Sequence, residues 1–276
     1  MKHLFAPLAL ALIACSPSSV QNPYLGQTPP GIVPEQFAPG LISTDALEIE
    51  GVFAPGMREF YFTRQVDRGP VMSHGWRNED GEWREFFAVE RTGEISFSTD
   101  GRIMYLGNSY REREGDSWSD PKPLGRQFND IEIMRLTASS EQTYVLDERD
   151  EIGTIRFSRL ENGSREDPIA YGETINTGTF TAHPFIAPDE SYLIWDSDRL
   201  GGYGDSDLYI SFRQKDGTWG DAINMGPEIN SSDEDAYGSI TPDGKYFIFH
   251  RINLEVPRAN IYWVDAKVIE GLRTQK

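Results

Sequence analysis

Five related segments, spaced at similar intervals along the chain, constrain its fold more than any other feature. The clearest lies between Thr181 and Arg213. It predicts a short apolar strand (Pro184 to Ala187), a Pro188-Asp189-Glu190 turn and a second strand (Tyr192 to Trp195). A glycine-rich loop (Gly201 to Gly204) then leads into a third strand, Asp207 to Phe212. Proline presets φ for a tight turn, and aspartate bonds the backbone two residues on. Short runs of Tyr, Ile, Phe and Trp bounded by Gly, Pro and Asp are antiparallel hairpin material.

Related segments begin near Gly51, Ile95, Met134 and Tyr237, and the one around Met134 is the most degraded. With Pro55, Thr99, Ser139, Pro188 and Pro242 as anchors, the steps are roughly 44, 40, 49 and 54 residues, a period near that of propeller blades. The expected fold is therefore all-β: a single β-propeller of four-stranded antiparallel blades, five in number, with six as the alternative. The last repeat lacks an outer strand, and Phe37 to Thr44 is expected to supply it, removing the exposed sheet edges of an open array. The tail Lys267 to Arg273 suits a short helix on the rim.

Two segments carry a family resemblance. Ile240-Thr241-Pro242-Asp243-Gly244 and Gly204-Asp205-Ser206-Asp207-Leu208-Tyr209 resemble the WD-like propeller repeat of the TolB type. The linking segment Trp219 to Ser231 is similar to that family's blade connector, with an echo from Trp118 to Gly125. The resemblance extends from about Pro34 to Trp263. It implies an envelope scaffold role, while propellers as a class host many unrelated activities.

The chain of 276 residues is long enough for one such domain, and 38% hydrophobic with 12% aromatic residues supplies its core. A net charge of −18 repels phosphate backbones, so nucleic acid is not an expected partner. Lys2 and His3 precede an apolar run from Leu4 to Ala14, too short to span a bilayer and suited to a signal peptide over 1–14. Leu12-Ile13-Ala14-Cys15 resembles the bacterial lipobox, which implies lipidation at Cys15, the single cysteine, and an outer-membrane address. The division expected is a signal peptide over 1–14, a lipidated N-terminus and flexible tether over 15–33, and the propeller over 34–276. The membrane is then met through the lipid alone.

The first strand of each blade lines a propeller's channel, so equivalent positions form a ring. Five residues before the anchors stand Glu50, Glu94, Met134, His183 and Tyr237, with Glu132 replacing Met134 if the degraded repeat slips by two. Glu50, Glu94 and His183 are the candidates for acid–base chemistry. Nine residues after the anchors stand Arg64, Asn108, Glu148, Ser197 and Arg251, with Arg199 beside them. The arginines are candidates to clamp an anion, or else to form ion pairs between blades. Trp76 in a polar loop, His74 to Arg77, and Tyr237 are candidate ligand contacts. Asp196, Asp198, Asp205 and Asp207 have the oxygen chemistry of a calcium site but not the Asp-x-Asp-x-Asp-Gly order. Beyond calcium, no cofactor is expected. No Gly-x-Ser-x-Gly elbow occurs, and four histidines with one cysteine offer no zinc spacing.

These residues favour a non-catalytic envelope lipoprotein that binds a protein or a glycan. The alternative is a glycan-active hydrolase using channel-mouth carboxylates. A third reading, a calcium-dependent adhesin, rests on the aspartate loop.

Overall fold

A computed structural model describes residues 20–256 and 258–273. The expected signal peptide and Cys15 lie outside the described residues.

The chain opens with β1 (Glu35–Gln36) and then builds four-stranded antiparallel sheets in succession. The first comprises β2 (Leu47–Phe53), β3 (Glu59–Gln65), β4 (Val71–Glu79) and β5 (Glu82–Glu90). In the second, β6 (Ile95–Phe97), β7 (Ile103–Leu106) and β8 (Ser109–Glu114) are flanked by β9 (Ser117–Trp118) and β10 (Lys122–Pro123). The third holds β11 (Ile133–Ala138), β12 (Tyr144–Glu148) and β13 (Ile155–Ser158). A two-stranded hairpin of β14 (Leu160–Glu161) and β15 (Ser164–Arg165) precedes its last strand, β16 (Ile169–Ala170). The fourth is β17 (Thr181–Ile186), β18 (Tyr192–Ser197), β19 (Asp207–Phe212) and β20 (Ile223–Asn224). Last come β21 (Glu234–Ile240), β22 (Tyr246–Asn253) and β23 (Arg258–Asp265), followed by α1 (Lys267–Arg273). Strand β23 also meets β2 in parallel, Leu47 opposite Ala259, so that the first and last groups and β1 form one eight-stranded sheet. This all-β architecture is consistent with a β-propeller. The repeat around Ser139, degraded in sequence, forms a full sheet.

Strand β1 pairs antiparallel with β23, Glu35 opposite Trp263 and Gln36 opposite Tyr262. The edge of the last sheet is thus covered by the N-terminal segment, but by residues just before the predicted 37–44. Phe37 ends the pairing by donating its N–H to Ile261 O. Its ring is then buried, and the chain turns back with Leu41 and Ile42 donating to Ala38 O. Leu41 and Ile42 form no strand. Part of the expected tether is also packed: Tyr24 is buried and its hydroxyl donates to Asp243, while Trp83 Nε1 donates to Asn22 O.

Apolar clusters fill the spaces between sheets. Phe53, Phe60 and Phe62 of the first sheet meet Ile248, Ile261 and Trp263 of the last, with Phe37 and Tyr24 between them. Tyr61 packs with Ile95 and Met104, Tyr105 with Leu136 and Leu146, Ile155 with Leu193 and Trp195, and Ile194 with Phe247 and Phe249. Aromatic faces of this size dominate the energetics of such packing. Residues Ile269 and Leu272 seat α1 on the fourth and last sheets.

Trp76 lies within β4, opposite Phe60 and Glu85, not in a loop, and its indole packs on the Phe53–Trp263 cluster. The alternation of β4 turns that residue to the apolar face despite its polar neighbours.

Candidate functional site

The inner strands share one device. In β2, β11, β17 and β21 the pairing register shifts within the strand, the mark of a β-bulge. In three of these, a non-glycine residue sits in the left-handed region: Glu50 at φ 60°, His183 at φ 49° and Tyr237 at φ 62°. Left-handed backbone is costly for such residues and collects at functional sites. The residues that follow are Gly51, Pro184 and Gly238. A Cβ at Gly51 would lie 2.8 Å from Ile261, and one at Gly238 2.8 Å from Phe247, so the bulge passes close to neighbouring side chains.

Each bulge is held from outside its own strand. The N–H of Glu50 donates to His250 Nδ1 at 3.2 Å, that of His183 to Asp147 Oδ2 at 2.7 Å, and that of Tyr237 to Asp196 Oδ1 at 3.0 Å. The acceptors stand eight residues after their anchors, in the second strand of the preceding sheet. Asp147 also accepts from Arg135 N at 2.7 Å.

This brings Glu50, Glu94, His183 and Tyr237 into one buried polar cluster. Arg91, from the β5–β6 connection, joins the two glutamates: its Nη2 lies 2.6 Å from Glu50 Oε1 and 3.1 Å from Glu94 Oε1, and its Nε donates to Glu50 Oε2 at 3.0 Å. Thr63 Oγ1 adds a 2.6 Å bond to Glu50. His183 Nδ1 lies 2.9 Å from Asp196 Oδ1, and its Nε2 3.6 Å from Glu94 Oε1. Tyr237 stacks on His250, lies beneath the Arg135 guanidinium at 3.7 Å, and donates its hydroxyl to Ile95 O.

The cluster's charges set its protonation. Burial pushes the imidazolium of His183 down, but Asp196 and Glu94 outweigh it and hold the ring's pKa well above 6.5. Burial lowers His250 to about 3, and the His183 charge adds to the shift. For Glu94, burial acts upward, yet His183, Arg91 and Arg135 bring the net shift below the ordinary value. Glu50 is raised, by burial and by the Glu94 charge, against the pull of Arg91. Asp147 is raised to about 6 by burial and by Glu94. Three cations, Arg91, Arg135 and His183, thus stand among four acids, Glu50, Glu94, Asp147 and Asp196.

The other predicted residues lie elsewhere. Glu132 is exposed and 3.6 Å from Arg149, so the slipped register does not occur; Arg135, not Met134, carries the deeply buried side chain of that repeat. Arg64 pairs with Glu48 and donates to Leu41 O and Ile42 O. Arg251 pairs with Asp235 and donates to Ile229 O, and Arg199 donates to Thr174 O, Ile175 O and Thr177 O. Asn108 and Ser197 likewise donate to carbonyls of connecting segments, and Glu148 binds Arg156. In this second ring the arginines, Asn108 and Ser197 fasten connectors, while Glu148 pairs within its own sheet. The aspartates are engaged separately: Asp198 accepts from Thr179 and Phe180, and Asp207 from Tyr203, Gly204 and Asn224, while Asp196 faces His183 and Asp205 stands in charge range of Glu234. Among the described residues no group of three or more His, Cys, Asp or Glu side chains is placed to hold a metal ion.

Four of the five anchors, Pro55, Thr99, Pro188 and Pro242 from the hairpin turns, line a cavity of about 990 Å³, to which Arg135 and Ser239 also contribute. Arg91, Arg135, Asp147 and His250 are the site residues that sequence reasoning missed. The eight-residue offset carried a signal for Asp147, Asp196 and His250, one position before the ring that was chosen.

No family model matches the sequence, and no curated protein sequence matches it. Among solved structures, the catalytic domain of Coprinopsis cinerea GH62 alpha-L-arabinofuranosidase superposes with a TM-score of 0.51 at 8% identity, covering 86% of this chain and 97% of that one. A putative TolB from Agrobacterium tumefaciens gives 0.47 at 13% identity, over 80% and 78% of the two chains. TolB from Acinetobacter baumannii gives 0.46 at 11% identity over 79% of this chain, which spans 54% of that protein's length. What the chain shares with the arabinofuranosidase domain is its fold.

Proposed function

We propose that this chain is a non-catalytic binding module: a five-bladed propeller, closed by β1 on β23, that presents its channel mouths to an envelope protein or a glycan. The proposal includes lipidation at Cys15 and an outer-membrane address, both resting on the lipobox-like sequence. The observation that carries the binding reading is the bridge made by Arg91. Glu50 and Glu94 both touch its Nη2, which puts their carboxyls within about 6 Å of one another, the range of a retaining glycosidase pair. In a hydrolase that space belongs to the sugar. Here a guanidinium occupies it, bonding both oxygens of Glu50 and Oε1 of Glu94, which stands against either acid meeting a sugar directly.

The alternative, a glycan-active hydrolase, draws on that same separation and on the Asp196–His183–Glu94 chain, which has the form of an oriented proton carrier. Aryl glycosides of varied sugar and linkage decide between them. The binding reading expects no turnover that depends on Glu50 or Glu94; turnover abolished by Glu94→Gln or Glu50→Gln establishes the hydrolase instead.

A further inference from the structure

We propose that the loop face opposite the hairpin turns docks a partner protein whose surface carries an apolar patch edged with lysine or arginine. This names the partner class within the binding reading and rests on it. The face is built from the loops that follow the second strand of each sheet and from the connections that enter the next sheet. Six apolar side chains stand open to solvent there: Ile152 (49% exposed), Phe180 (38%), Leu200 (104%), Tyr203 (50%), Leu254 (52%) and Val256 (50%). Single exposed apolar residues are ordinary on a protein surface, whereas a group of them rimmed by polar residues marks an interaction site.

The six belong to neighbouring loops tied to one another. Thr181, next to Phe180, donates its N–H to Ile152 O at 2.8 Å. The Phe180 N–H in turn donates to Asp198 Oδ1 at 2.6 Å, at the head of the loop that carries Leu200 and Tyr203. Gly204 passes so close to Asp233 that a Cβ would lie 2.0 Å from its carbonyl oxygen. Asp233 accepts from Asn253 Nδ2 at 3.3 Å, and Asn253 Oδ1 accepts the N–H groups of Glu255 and Val256. The loop bases are thus braced while their apolar tips are left in water. The N-terminal segment does not cover them: Gln21 and Asn22 pack against Asn78 and Trp83 at the β4–β5 turn, on the hairpin-turn side.

Charge selects the occupant. Glu151, Asp205 and Glu255 are exposed on these loops and make no ion pair among the described residues. Of the arginines beside them, Arg149 faces Glu132, Arg258 faces Asp45, and Arg199 donates to three connector carbonyls. No lysine stands in residues 149–154, 198–206 or 253–258. Unpaired acids around an apolar centre are complementary to a protein patch with a basic edge. A second copy would set acid against acid, and an anionic lipid surface would repel the same loops. Aliphatic tips such as Leu200 and Leu254 offer a sugar ring no face to stack on.

The test is zero-length carboxyl-to-amine coupling in intact envelopes carrying the full chain, with the joined residues mapped by mass spectrometry. Partner lysines are expected on Glu151, Asp205 or Glu255, and not on Asp100, Asp189 or Asp216, which are exposed on the hairpin-turn side. Leu200→Ser combined with Leu254→Ser alters only solvent-exposed side chains and is expected to lower the yield at least about tenfold, as loss of interface anchors does. Ile32→Ser combined with Val33→Ser changes an exposed pair whose segment meets Asp265 on the turn side, and is expected to leave the yield unchanged. Coupling through the turn-side acids, equal yields from the two double variants, or a coupled partner that is a second copy overturns the proposal. A specific partner held through the turn side keeps the binding module and removes only this surface. No coupled partner overturns the proposal as well; capture of a glycan by the same chain then keeps the binding module, and capture of nothing removes both.

Discussion

Asp196 ties His183 to Tyr237: its carboxylate lies 2.9 Å from the imidazole Nδ1 and accepts the Tyr237 backbone N–H at 3.0 Å. One side chain on β18 therefore holds the bulge of β21 and orients the imidazole that projects from the bulge of β17. Asp196→Asn keeps the shape but removes the charge that faces the imidazolium. It is expected to cost about 1.5–3 kcal/mol in urea unfolding, the range for hydrogen bonds to charged groups. A change below about 0.5 kcal/mol, the scatter of ordinary surface substitutions, contradicts the role assigned to it.

Arg91 carries more. Removing it as Arg91→Met leaves Glu50 and Glu94, both buried, facing one another without their shared cation. The expected loss is about 3–5 kcal/mol, as for other buried pairs broken from one side. The double variant Arg91→Met with Glu50→Gln is expected to recover part of it, and equilibrium unfolding of the set measures the coupling.

The two histidines of the cluster give opposite pH limbs. His183 has a folded pKa above 6.5, so its contribution is fully present below 6.5 and is lost as pH rises through the folded value. His250 is depressed to about 3, so between 6.5 and 3 the unfolded chain binds the extra proton and stability falls as pH falls. Asp147, raised to about 6, works against His250 over the lower window. Unfolding free energy of His183→Gln is expected to lose the alkaline limb, and that of His250→Gln to lose part of the acid limb. Histidine ring resonances titrating near 6.5 for both residues contradict the account.

The backbone device is testable separately from the charges. Glu50→Asn and Glu50→Val both remove the carboxylate, but only asparagine tolerates φ near 60°. Valine is expected to cost at least about 1 kcal/mol more than asparagine, the penalty of left-handed backbone. Equal melting temperatures would mean that the bulge relaxes.

Turn chemistry and strand alternation repeat in every sheet, so Pro188-Asp189 and Pro242-Asp243 announced the hairpins, and the ring of Glu50, Glu94, His183 and Tyr237 followed from their spacing. Arg91 had no counterpart to reveal it, because it enters the cluster from a connection between sheets. Arg135 was hidden by the register shift inside β11, which moves the buried position one residue from the expected Met134. The second ring missed Asp147 and His250 by one residue. Alternation along β12 and β22 turns those two toward the bulges and leaves Glu148 and Arg251 to bind Arg156 and Asp235. The strand over the last sheet's edge lies at Glu35–Gln36, and Phe37 closes it with its N–H on Ile261 O and its ring buried.

The most direct test of the binding reading is capture from envelope extract by the soluble chain lacking residues before Gln21, run beside its Glu50→Gln and Glu94→Gln variants, with glycan hydrolysis followed in the same samples. The account predicts one specific protein or glycan retained by all three, without hydrolysis. No retained partner, together with glycan turnover that disappears in the Gln variants, would contradict it.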